Sequence, residues 1–120
     1  MTSPSAQPFD AFVLSLDQDE TASFATPMLQ AIRLGLRGDW HAAHELAQQQ
    51  DDADGAWVHA WLHRIEGDLG NADYWYRRAR RPPRRDDTRA EGLEIAQALI
   101  ESIERAGGDV APPGEASRPA

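Results

Sequence analysis

The sequence predicts an all-α fold: two stacked helical hairpins, preceded by a short N-terminal helix and closed by a C-terminal capping helix. Three observations carry this expectation. Apolar residues recur with a helical period from Phe9 to Ile103, helix start and stop signals punctuate the chain between them, and a segment centred on Gly-Asp repeats. Two copies of that segment, RGDWHAAHELAQQQ from Arg37 and EGDLGNADYWYRRA from Glu66, lie 29 residues apart.

The elements follow in order. Residues 1–7 and 107–120 are rich in proline, glycine, serine and alanine without apolar periodicity, so both are expected to be disordered tails around one helical-repeat domain at 8–106. Phe9, Phe12, Val13 and Leu16 stand at i, i+3, i+4 and i+7 and predict a short amphipathic helix after Pro8. Thr26 is placed to cap a second helix with Pro27 in its first turn, where the missing N–H costs nothing, and Gly38 ends that helix after Arg37. Asp39 caps a third helix from Trp40 to about Gln50, stopped by the polar run QQQDDADG. A fourth begins at Asp54 and runs from about Gly55 to Glu66. Trp57, Val58, Ala60, Trp61, Leu62 and Ile65 make it apolar on most of its circumference, which places it centrally. Gly67 closes it, Asp68 caps a fifth helix to about Arg80, and Pro82-Pro83 terminate that one. Thr88 with Glu91 three residues on reads as a capping box opening the last helix, whose Leu93, Ala96, Leu99, Ile100 and Ile103 share a face.

The repeat has internal logic. Gly38 and Asp39 correspond to Gly67 and Asp68, Ala43 to Ala72, and Ala31 to Ala60, so each unit is helix, Gly-Asp turn, helix, with small residues where the helices cross. The second unit, with Ala60, Gly67, Ala72, Tyr76, Ala79 and closing prolines, resembles a tetratricopeptide repeat. The first unit matches less fully, with Ala47 where the pattern wants an aromatic, and the 29-residue spacing is shorter than that family's usual ~34. The stretch from Trp40 to Arg81 also resembles a group of short bacterial and fungal proteins marked by AHE followed by W-x-HA-x-LHR-x-EGD-x-x-NA-x-YWYRRA. The matching residues are Ala43-His44-Glu45, Trp57, His59-Ala60, Leu62-His63-Arg64, Glu66-Gly67-Asp68, Asn71-Ala72 and Tyr74 to Ala79. That resemblance implies no particular activity.

Composition narrows the functional classes. With 120 residues the chain has room for one domain and one modest core. It contains no cysteine, which excludes disulfides, thiolate metal sites and cysteine nucleophiles. No secretory leader and no apolar run near the ~20 residues of a membrane span is present, so the expected address is cytoplasmic and no membrane partner is expected. A net charge of -8 argues against nucleic acid as a partner. Arg77, Arg78, Arg80, Arg81, Arg84, Arg85 and Arg89 concentrate the basic charge next to Tyr74-Trp75-Tyr76. Helix-dipole pairing and nearby acidic residues make a solvated structural patch the expected reading.

Two functional readings follow from the side chains. The first is a non-enzymatic interaction module, monomeric or weakly dimeric and without a cofactor. Its groove would take an unidentified protein or peptide on His44, Trp57, His59, His63, Glu66, Tyr74 and Arg77. In this reading His59 and His63 are core histidines satisfied by hydrogen bonds to nearby acidic or tyrosine side chains. The second reading starts from spacing: His59 and His63 are i, i+4 with Glu66 about one turn on, and His41 and His44 are i, i+3 beside Glu45. If the two helices face each other, imidazoles and a carboxylate converge, and His44, His59, His63 and Glu66 become a small-ligand or divalent-metal site, with catalysis open to it. No HExxH, phosphate-binding glycine loop or nucleophile elbow occurs.

Overall fold

The computed structural model of the chain describes residues 6–16 and 26–107. The expected tails fall almost entirely outside these residues. Within them are six helices and no strand: α1 (Ala6–Ser15), α2 (Pro27–Leu36), α3 (Trp40–Gln48), α4 (Ala53–Glu66), α5 (Leu69–Ala79) and α6 (Thr88–Arg105). Helices α2 and α3 form one hairpin, α4 and α5 the next, α6 closes the second against the first, and α1 packs on α6.

The two hairpin turns are built alike, which is the physical content of the sequence repeat. Gly38 and Gly67 take left-handed φ angles of 94° and 89°, a conformation in which a Cβ would be strained. The aspartate that follows does double duty in each turn. Its backbone N–H donates back across the helix end, Asp39 to Leu34 O at 2.8 Å and Asp68 to His63 O at 2.9 Å. Its carboxylate then caps the next helix, accepting from Ala42 N or Asn71 N. The equivalent small residues Ala31, Ala43, Ala60 and Ala72 are all fully buried at the crossings.

Helix α4 is central, touching α2, α3, α5 and α6. Val58, Ala60, Trp61 and Leu62 are 0% exposed. The Trp61 indole lies between two glycines, Gly35 of α2 and Gly92 of α6, so close that a Cβ at either would fall within 2.8 Å of the ring. Its N–H donates to Thr88 O at 2.7 Å. No helix among the described residues is long and apolar enough to cross a membrane.

Several boundaries differ from the sequence expectation. Helix α1 starts at Ala6, ahead of Pro8; α3 stops at Gln48; and α4 starts at Ala53, because Asp52 rather than Asp54 is its cap, accepting from Gly55 N at 2.8 Å. The largest difference concerns Glu91. The cap of α6 is Asp87, which accepts from Ala90 N at 3.0 Å. Glu91 is therefore not half of a capping box. It is fully buried and accepts from the Tyr76 hydroxyl, the Trp57 indole N–H and the Arg64 guanidinium. A carboxylate in a core needs such donors to offset its lost hydration.

Candidate functional site

Where α3 lies against α4, three imidazoles come together between two indoles. His44 comes from α3; His59 and His63, one turn apart, come from α4. Trp40, one turn before His44, donates its indole N–H to Leu62 O at 2.6 Å, which fixes α3 against α4. Its ring stacks on His44 with centroids 4.6 Å apart and planes 12° off parallel. On the other side Trp75 of α5 stacks on His59 at 3.9 Å and 15°. The two indoles thus hold the outer imidazoles of the group. His59 and His63 are themselves stacked at 4.9 Å and 20°, and His44 meets His63 edge-on at 5.3 Å.

The ring nitrogens converge as closely as the rings do. His59 Nε2 is 2.8 Å from His44 Nε2, a distance at which one nitrogen carries the proton and the other accepts it. One ligand nitrogen from each of His44, His59 and His63 lies within 4.8 Å of the other two. His59 and His63 are each 6% exposed, while His44 is half-buried and forms the solvent side of the group. Burial, reinforced by His44 and then His63, lowers the pKa of His59 to about 4. Burial also lowers His44, with His63 and His41 adding to the effect and Glu66 opposing it. Both rings are accordingly neutral near pH 7, the form in which imidazole offers a lone pair.

Glu66 closes α4, and its carboxylate stands 3.4 Å from His63 Nδ1. The two groups are within reach of charge attraction but are not aligned as a hydrogen bond, and buried Nδ1 has no hydrogen-bond partner. Asp68, exposed beyond the turn, joins Glu66 and His63 in a second loose group. No carboxylate among the described residues joins the three-histidine group itself.

The structure brings together only part of what the sequence suggested. His44, His59, His63 and Glu66 are neighbours. His41 is exposed and only edges onto Trp40, and Glu45 is exposed as well. Tyr74 is 44% exposed on the outside of α5, beside Trp75, with the exposed Arg77 guanidinium 6.0 Å from its ring. Trp57 does not join the histidines: it is buried toward α6, its indole N–H on Glu91 at 3.2 Å and the Arg81 guanidinium over its ring at 3.3 Å. The residues that do wall the site, Trp40 and Trp75, were not singled out for it by spacing. The visible signal was Trp40 at i, i+4 to His44; nothing local marks Trp75, which reaches His59 from another helix.

Three arginines of the run, Arg78, Arg84 and Arg85, pair with carboxylates. Arg84 binds Asp86 at 2.6 Å and Glu94 at 2.9 Å, Arg85 binds Asp73 at 2.9 Å, and Arg78 approaches Asp51 at 3.6 Å.

No family model matches the chain, and comparison with curated proteins and with solved structures likewise gives no match.

Proposed function

We propose that this chain is a metal-binding protein in which His44, His59 and His63 hold one divalent first-row transition ion, with zinc the best chemical fit. The observation that carries the reading is the convergence of three imidazole nitrogens within 4.8 Å, two of them 2.8 Å apart. Ligand nitrogens at ~2.0–2.1 Å from a tetrahedral ion are roughly 3.3–3.4 Å from one another. The His44–His59 pair at 2.8 Å is shorter than that value, so these two nitrogens must part by about half an ångström to take an ion between them. The rings also sit on helices, and two of them, His44 and His59, are held by stacked indoles, which favours a preorganised ligand set.

The competing reading makes these core histidines, and such histidines need protein partners for their ring nitrogens. His59 Nε2 is answered by another imidazole, and His63 Nδ1 by no hydrogen bond. An ion relieves the contact between His44 Nε2 and His59 Nε2, because each ring then spends its lone pair on it, while His63 Nδ1 is left to Glu66. Glu66 suits the outer position that metal-bound histidines commonly present to a carboxylate, holding His63 through Nδ1. The groove reading, by contrast, loses its Trp57 anchor to Glu91.

The test is a melting curve with zinc and with chelator for the wild type and for His63→Phe, alongside the metal content of the purified protein. Zinc at a hundredfold excess over Kd stabilises the native state by about 2.7 kcal/mol, roughly 10 °C or more for a domain of this size. The wild type should gain that shift, and His63→Phe should lose it. A wild type that neither retains metal nor responds to zinc ends the proposal.

A further inference from the structure

Resting on that reading, we infer that the ion keeps one coordination position open to water, so that the site is a Lewis-acid centre acting on small uncharged carbonyl compounds rather than a structural staple. Structural zinc sites are closed by four protein ligands, whereas reactive ones have three and leave the fourth position to water or substrate. Here the described residues supply three. Glu66, the nearest carboxylate, groups with His63 and Asp68 and not with the three histidines together, and the chain has no cysteine to complete a tetrahedron. Half-buried His44 leaves the group a solvent-facing side, through which a fourth ligand can come and go.

The charge of the ligand set sets the chemistry. Three neutral imidazoles leave the ion its full double positive charge, the condition under which bound water ionises near neutral pH. The bound water gives one proton to bulk solvent, and the remaining hydroxide attacks the carbonyl carbon. The C–O bond of the ester then breaks, the alkoxide takes a proton from solvent, and acid and alcohol leave; overall one ester and one water become one acid and one alcohol, with no change of oxidation state. The surroundings select the substrate. Glu66 and Asp68, grouped with His63, repel anions, which favours an uncharged acyl compound over a phosphate ester.

Two measurements on the intact chain test this. In the first, the cobalt(II)-substituted protein is titrated with azide while its visible absorption is recorded. An open position exchanges water for azide and shifts the bands, whereas a position filled by a protein side chain leaves them unmoved. In the second, hydrolysis of 4-nitrophenyl acetate by the zinc-loaded wild type is compared with that of the same protein under chelator, the reference needed because imidazole itself attacks this ester. Zinc should raise the rate on the order of tenfold or more over the chelated protein. One equivalent of bound metal with unmoved cobalt bands, or with no zinc-dependent rate, overturns the open reactive site and leaves metal binding intact. Failure to bind either metal overturns both.

Discussion

The hydroxyl of Tyr76 on α5 stands 2.7 Å from both carboxylate oxygens of Glu91 on α6. The same carboxylate takes the Trp57 indole N–H and the Arg64 guanidinium, both from α4, so one buried charge ties three helices. Removing it leaves the Arg64 guanidinium, whose side chain is only 4% exposed, without its buried counter-charge and with Asp86 as its remaining acceptor. Glu91→Leu is therefore expected to cost about 3–5 kcal/mol, whereas Tyr76→Phe, which leaves the ion pair standing, should cost about 1–2 kcal/mol. Urea denaturation of the two variants checks the order. A Glu91→Leu protein within 1 kcal/mol of wild type would mean that the network adds little to this fold.

Two helical glycines, Gly92 and Gly70, should respond to substitution with opposite signs. A Cβ at Gly92 would lie 2.5 Å from Trp61 Cζ2 and 3.0 Å from Leu36 Cδ2, and fully buried Trp61 has nowhere to retreat. Gly92→Ala should cost about 1–3 kcal/mol by overpacking. Gly70, in the first turn of α5, has open space around its Cβ direction. Gly70→Ala should stabilise by about 0.4–1 kcal/mol, by restricting the unfolded chain and favouring helix. Equal thermal shifts for the two variants would contradict the packing of Trp61.

What the sequence made legible was what local chemistry determines. Thr26-Pro27, Gly38-Asp39 and Gly67-Asp68 are complete instructions within two residues, and each cap and turn forms where they stand. The i, i+4 spacing of His59 and His63 is equally local. Glu91 was misread because its spacing from Thr88 satisfies a capping pattern, while its true partners Trp57, Arg64 and Tyr76 lie 15 to 34 residues away. Trp75 reaches His59, and Trp57 leaves it, for the same reason: which face of α4 meets α5 or α6 is decided by packing across the hairpin, and no short-range signal records it.

The close crossing at Ala72, 0% exposed where α5 meets α4, gives a prediction about hairpin register. Ala72→Leu should force the helices apart and cost about 1–3 kcal/mol. The same change at Ala90, exposed on α6, should cost little. Guanidinium melts of the pair provide the comparison, and a neutral Ala72→Leu would place the crossing elsewhere.

The pairing of His44 with His59 makes the metal-free protein acid-sensitive in a definite window. His59 titrates at about 4 in the fold, pushed down by burial and then by His44 and His63, against the ordinary 6.5. Between those values the unfolded chain binds a proton that the folded chain refuses, so stability is complete above about 6.5 and declines as pH falls toward 4. The shift corresponds to a loss on the order of 3 kcal/mol across the window. Glu66 faces the same group and favours the charged form of His44, which softens the decline without reversing it. Asp86, held to about 2 by Arg84, loses its contribution only at lower pH, so the two effects separate. Urea midpoints in chelator at pH 7.5, 6 and 5 should fall steadily for the wild type. They should fall less for His59→Phe, which has no proton to refuse. A wild-type profile flat between pH 7.5 and 5 would show that the imidazoles accept charge where they stand.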